Sequence, residues 1–365
     1  MKRPSLARSV ASARTKHAEL RTGADGTDED QVEVHIDHID EVADVDEVDE
    51  VDEVDEVDEV DEVDEVDQPW DPDGTEATNR SRPPSPQGVP EGRLVALADR
   101  GTTFVRELAG PPGAPTLLLL HGWTATGGLN WCACFEPLAK HFRVVSIDHR
   151  GHGRGIRSRR RFRLEDCADD AVALADELGI DTFVPVGYSM GGPIAQLVWR
   201  RHPDRVDGLV LSATSRNFRG RPIERAFFPV LMGLSAAARV TPGNWQTAMG
   251  RRVIGRRMDD DEFGRWARSE IAGNDPRVIV EAGQAIGSFS SHSWIGEVDV
   301  PTAIVMTTGD SVVPPHRQQK LADAIEGATV HRVAGDHGAV VMSAAGYVPQ
   351  LVAAARSVAG RIASN

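Results

Sequence analysis

Six short apolar runs alternate with segments of helical period from Pro115 onward, and this alternation limits the fold more than any other feature of the chain. The first run, Pro115-Thr116-Leu117-Leu118-Leu119-Leu120, stops at His121-Gly122. The others are Phe142 to Asp148, Thr182 to Gly187, Val206 to Thr214, Pro301 to Asp310 and Ala328 to Gly335. Runs this apolar belong to strands covered on both faces. Helices are expected over Asn130 to Lys140, Leu164 to Leu178, Pro193 to Arg201, Gln318 to Ile325 and a last stretch through Ala355. Strands and helices in turn imply an α/β protein with a mostly parallel central sheet and flanking helices. Ahead of them, Leu94 to Gly101 and Thr102 to Leu108 read as an antiparallel pair turning at Arg100-Gly101.

The alternation lapses for about 85 residues after Ser215. Residues 216–300 are expected to form a helical cap inserted after the sixth strand, over the strand ends where open α/β sheets bind ligands. Within it, AFFPVLMGLSAAARV (226–240) is helical in pattern and unusually apolar. The α/β core is then expected in 91–215 and 301–365, with folding beginning near Arg93.

Charge separates the remainder. Residues 1–90 hold 8 Lys+Arg against 28 Asp+Glu, a net of −20, whereas the rest of the chain is +4, giving the total of −16. From Asp46 to Val66 the triplet Asp-Glu-Val repeats seven times. A three-residue period with two carboxylates per valine cannot bury enough apolar surface to offset its ordering entropy, so 1–90 is expected to be a disordered acidic tail and linker. Whether it merely solvates the chain or acts as an autoinhibitory or partner-binding arm stays open. Three cysteines, Cys132, Cys134 and Cys167, form no disulfide framework or zinc spacing, and Cys132 and Cys134 read as part of a helix. The basic N-terminus lacks the apolar core of a secretory signal, and no stretch of 18 apolar residues occurs. A cytoplasmic location is expected.

Pro185 to Gly192, PVGYSMGG, contains Gly187-Tyr188-Ser189-Met190-Gly191. By composition alone such a pentapeptide would arise in roughly one chain of this length in five, so context must decide. The context is a strand before it and a helix after it, the setting of a nucleophile elbow in which the glycines let strand and helix approach closely. A serine hydroxyl also needs a base, and the base an orienting acid. Asp310 ends one later strand and His337 follows the next, giving the order Ser, Asp, His. Asp336 is less suited as the acid because neighbouring side chains on an extended segment point apart, and Asp148 precedes the serine. The Met190 amide, at the helix N-terminus, is a candidate oxyanion donor. Tyr188 and Met190 side chains are expected to line the pocket.

These motifs, with His121-Gly122-Trp123 and Asp148-His149-Arg150-Gly151-His152-Gly153, make the chain from about Arg93 resemble the α/β-hydrolase superfamily of serine hydrolases, its esterases and lipases in particular. The resemblance implies the α/β-hydrolase fold. It makes His121 and Gly122 part of an oxyanion loop with the Trp123 amide as second donor, and gives the turn at 148–153 a structural role. His121 and His152 are expected to hold loops by hydrogen bonds. The chain departs from the family pattern after that turn, where Arg154-Gly155 opens a basic run.

The implied activity is cofactor-independent hydrolysis of a small-molecule carboxylic ester with an apolar or lipid-like part. The same residues also serve thioester or C–C hydrolysis, acyl transfer and perhydrolysis, and a non-catalytic ligand-binding protein on this fold is the alternative from outside enzymes. Epoxide and haloalkane hydrolysis are disfavoured, because those enzymes carry an aspartate where Ser189 stands. No metal is expected. The run Arg154 to Arg163 holds six arginines and reads as a solvated loop, with peripheral contact to an anionic membrane surface or to the acidic tail as sharper readings. Nucleic acid is not an expected partner of so acidic a chain.

Overall fold

The structure, a computed structural model, describes residues 83–218 and 261–363. Eight strands form one sheet: β1 (Gly92–Leu97), β2 (Gly101–Leu108), β3 (Thr116–Leu120), β4 (Arg143–Ile147), β5 (Val184–Tyr188), β6 (Leu209–Ser212), β7 (Thr302–Thr307) and β8 (Thr329–Val333). Their order is β1-β2-β4-β3-β5-β6-β7-β8. The β1–β2 and β2–β4 pairings are antiparallel, and every pairing from β4 to β8 is parallel.

The helices among the described residues are α1 (Gly127–Asn130), α2 (Phe135–Ala139), α3 (Leu164–Glu177), α4 (Gly191–Arg201), α5 (Glu262–Ile271), α6 (Pro276–Ser288), α7 (Pro315–Ala324), α8 (Ala339–Met342) and α9 (Ala344–Ile362). Successive strand residues point to opposite faces, and the core divides accordingly. Leu118, Leu120 and Leu211 pack with residues of α3 and α4 such as Leu174 and Ile194. Leu117, Leu119 and Val210 pack on the other side with Leu351 and Ala355 of α9. Leu117 to Leu120 are at most 1% exposed, and each buried leucine contributes about 1.5–3 kcal/mol. The continuous apolar run is thus the signature of a strand with two covered faces.

The site is positioned by a reversal in strand order. The chain steps from β3 to β4 on one side, then crosses to β5 on the other side of β3. At such a switch the loops leaving two neighbouring strands part to opposite faces and open a crevice. Leu120 pairs with Gly187, so the chain leaves β3 and β5 at the same level.

Three local expectations change. A single helix over Asn130 to Lys140 gives way to α1 and α2, separated by a turn at Trp131 to Cys134. Pro137 has no amide to bond the Ala133 carbonyl and its ring would collide there, so the helix must restart at Phe135. Cys132 and Cys134 therefore sit in a turn, half-buried and buried respectively. At the front, Val89 is already buried and the Pro90 carbonyl accepts from Arg106, so the fold begins ahead of Arg93. Residues 1–82, with the Asp-Glu-Val repeats, lie outside the described residues.

Of the expected cap, 219–260 also lie outside them. The part described, 261–300, contains α5, α6 and a short 3-10 turn at Ile295–Glu297 between β6 and β7. No described helix is long and apolar enough to cross a membrane.

Candidate active site

Ser189 occupies the two-residue link between β5 and α4 with φ +52°. That left-handed conformation costs an L-residue roughly 1–2 kcal/mol. The surroundings hold it: the Ser189 amide donates to the Ser212 carbonyl (2.9 Å), while its own carbonyl accepts from Thr214 Oγ1 and the Gly192 amide (both 2.9 Å). The flanking glycines are steric requirements. A Cβ on Gly187 would lie 2.1 Å from the Gly191 carbonyl oxygen, and one on Gly191 would lie 2.1 Å from that of Leu120.

From this elbow Ser189 Oγ lies 2.9 Å from His337 Nε2, and His337 Nδ1 lies 2.8 Å from Asp310 Oδ2. His337 comes from the loop after β8 and Asp310 from the loop after β7. The Asp310 side chain is buried and accepts from Thr307 Oγ1 (2.8 Å) on one oxygen and from the Val312 and Val313 amides (2.9 and 2.8 Å) on the other. An acceptor-only carboxylate at Nδ1 places the ring proton there and leaves Nε2 to accept from the serine hydroxyl. Asp336, by contrast, turns back to its own loop and accepts from the Gly338 amide.

The loop after β3 comes up beside the serine. Gly122 donates to Asn130 Oδ1 (3.0 Å), and a Cβ on Gly122 would lie 3.4 Å from Ser189 Cβ. Among the described residues, neither the Trp123 nor the Met190 amide donates to a protein group. His121 is buried behind the loop. Its Nδ1 donates to the Gly122 carbonyl (2.8 Å) and its Nε2 accepts from the His149 amide (2.9 Å). Burial pushes its pKa down to about 4, which suits a neutral spacer rather than a base.

The turn at 148–153 is bound into the scaffold. Asp148 accepts from the Gly127 and Arg154 amides, and Arg150 forms a two-pronged ion pair with buried Asp170 of α3. His152 Nδ1 donates to the Arg150 carbonyl.

Two expectations about side chains do not hold. Tyr188 does not line a pocket wall: it is buried in the core, and its hydroxyl donates to the His337 carbonyl (2.6 Å). Met190 likewise belongs to the core. β5 is central, so residues at its end are covered from both sides.

The basic run is exposed at Arg157, Arg159, Arg160, Arg161 and Arg163, as a solvated loop would be, and only Arg154 is drawn inward. Arg154 pairs with buried Glu270 of α5 and lies over the Phe104 ring, and Arg157 donates to the Gly153 and Gly273 carbonyls. Arg161 reaches Gln284 of α6.

Sequence reasoning missed Thr307 and Gln318. Gln318 is fully buried in α7, where its amide accepts from the Thr307 backbone and donates to Thr307 Oγ1 and the Val313 carbonyl. It fixes the loop that carries Asp310. The signal was present: Gln318 shares a helix face with Leu321 and Ala322, a polar residue on an apolar stripe.

Among the described residues, no group of three or more His, Cys, Asp or Glu side chains is arranged to hold a metal ion.

Comparison with known proteins agrees with this architecture. A Rhizobium rhizogenes protein named as the carbamate hydrolase RutD is 28% identical over 228 residues, covering 60% of this chain and 83% of that one. A pimeloyl-[acyl-carrier protein] methyl ester esterase of Chromobacterium violaceum is 27% identical over 227 residues, covering 60% and 84%. Among solved structures, an enol-lactonase from Burkholderia xenovorans LB400 superposes with a TM-score of 0.59 at 23% identity, over 72% of this chain and 100% of that one. The family model for the alpha/beta hydrolase fold matches residues 115–341, more than half of the chain, and the chain belongs to that family.

Proposed function

We propose that the protein is a serine hydrolase that cleaves a carboxylic ester through an acyl-enzyme. The observation that carries this reading is the continuous hydrogen-bonded line from Ser189 Oγ through His337 to Asp310. Ser189 Oγ attacks the acyl carbonyl while His337 Nε2 takes its proton. The oxygen that gains negative charge lies against the unpaired amides of Trp123 and Met190. Collapse of the tetrahedral adduct breaks the ester C–O bond, and His337 returns the proton to the departing alcohol. Water then attacks the acyl-serine, giving its proton to His337, and the carboxylic acid leaves as Ser189 is reprotonated. Asp310 holds the imidazole in the required tautomer throughout.

An ester with an apolar acyl part, lipase-like in character, is supported by the apolar sequence at 226–240, outside the described residues. Three free cysteines fit a cytoplasmic setting, and the exposed Arg159, Arg160 and Arg163 are suited to peripheral contact with an anionic membrane surface.

The test is hydrolysis of p-nitrophenyl esters of increasing acyl length, with fluorophosphonate labelling alongside. Wild-type protein is expected to turn over the esters and take the label on Ser189, and Ser189→Ala to do neither. Unchanged hydrolysis by Ser189→Ala overturns the mechanism; no labelling of the folded wild type favours a binding protein instead.

A further inference from the structure

Thr124 is held at φ +64°, a left-handed backbone for a β-branched residue, one position after the candidate oxyanion donor Trp123. Its geometry is fixed from outside the loop. Asn274, at the junction between α5 and α6, donates from Nδ2 to the Thr124 carbonyl (2.7 Å) and accepts at Oδ1 from the Gly153 amide (2.7 Å). One partner is a carbonyl and the other an N–H, so the amide can sit only one way round. The same segment touches the loop again, where Trp123 Nε1 donates to the Ile279 carbonyl (2.8 Å) of α6. Asp275, next to Asn274, anchors the segment by donating its amide to the Gly151 carbonyl (2.8 Å) and capping α6. The Trp123 amide is thus bracketed, by the Gly122–Asn130 bond upstream and by the Asn274 and Ile279 contacts downstream.

We propose that Asn274 is a positioning residue that clamps the oxyanion loop to the turn at 148–153 and so sets the aim of the Trp123 amide. The proposal rests on the serine-hydrolase reading above. A strained loop without the clamp would relax, and an amide turned away from the oxyanion stabilises the transition state less while leaving substrate binding nearly unchanged. Asn274 is half-buried, so its replacement leaves no deep cavity.

Asn274→Asp keeps the acceptor for Gly153 but sets a carboxylate oxygen against the Thr124 carbonyl; Asn274→Ser removes both contacts. In each variant kcat for a p-nitrophenyl ester is expected to fall roughly ten- to a hundredfold with KM within about twofold of wild type. Affinity for a trifluoromethyl ketone, which forms a tetrahedral oxyanion on Ser189, should fall by the same factor as kcat/KM. Thermal melting reports whether the fold is kept. A kcat within about twofold of wild type, or unchanged trifluoromethyl ketone affinity in a folded variant, overturns the proposal. So does failure of both variants to fold, which would make Asn274 a residue of the scaffold. Ser189→Ala measured in parallel separates the two readings: if turnover survives it, the hydrolase reading fails and the clamp falls with it. If turnover needs Ser189 but ignores Asn274, only the clamp is wrong.

Discussion

The Tyr188 hydroxyl donates a 2.6 Å hydrogen bond to the main-chain carbonyl of His337, so the residue before the candidate nucleophile holds the backbone of the candidate base. Burial pushes the phenol pKa up and keeps it protonated as a donor. The ring packs edge-on against Trp131 and Tyr347, contacts that phenylalanine would keep. Tyr188→Phe should therefore lose about 1–3 kcal/mol of stability through the stranded carbonyl. It should also lose several-fold in kcat through a looser His337. Urea melts and steady-state kinetics on one preparation check both.

Asp310→Asn tests the tautomer. The asparagine oxygen can keep the Val312 and Val313 amides, which leaves its NH2 facing His337 Nδ1. The ring proton then moves to Nε2, where it faces Ser189 and cannot accept. A loss on the order of 10⁴ in kcat is expected, with folding retained. Fluorophosphonate labelling rates and circular dichroism measure the two parts.

Gly191→Ala places a methyl group 2.1 Å from the Leu120 carbonyl oxygen, which belongs to a central strand and cannot move aside. A loss of about 3 kcal/mol or more is expected, through forced separation of α4 from β3. Thermal melting shows it directly; a melt within a few degrees of wild type would mean the elbow is looser than these contacts imply.

Acid should weaken the fold through a buried trio, His121, His149 and His152, whose ring centroids lie 4.3 and 5.3 Å from that of His121. Burial lowers all three pKa values, to about 4 for His121, about 3 for His152 and well below the ordinary value for His149. Unfolded, each would titrate near 6.5 and bind a proton that the folded chain refuses. Their contribution is present in full above that pH and is lost as pH falls toward the folded values, at up to about 1.4 kcal/mol per pH unit for each ring. Both His149 ring nitrogens are buried without a partner. His149→Leu should flatten the pH dependence by about one proton, measured as urea midpoints between pH 7.5 and 5. An unchanged slope would place the acid sensitivity elsewhere.

The inner strands β3 to β7 were legible because each is an apolar run covered on both faces that ends at a turn, while β1, β2 and β8 were legible by their place beside those runs. Ser189, Asp310 and His337 were legible because each follows a strand whose end the parallel topology delivers to one edge. Contacts that cross from the segment after β6 were not. Nothing in the sequence near Asn274 or Glu270 says that one would bind Thr124 and Gly153 and the other Arg154, because such pairings depend on where two distant segments meet. Arg154 alone departs from the solvated reading of the arginine run, because the buried carboxylate of Glu270 arrives beside it. Pro137 splits the helix expected at 130–140 by removing one donor, a signal the sequence carries in plain form.

The positive φ of Ser189 has a consequence for what inactivation does to this protein. Ser189→Ala keeps the Cβ and with it the steric cost, whereas Ser189→Gly relieves both strain and reactivity at once. Ser189→Gly should melt above Ser189→Ala, by the equivalent of about 1 kcal/mol. Backbone sterics and chemistry therefore pull in opposite directions at one residue. On sterics alone glycine would be preferred here, so the fold holds its proposed nucleophile against the local preference of its own backbone.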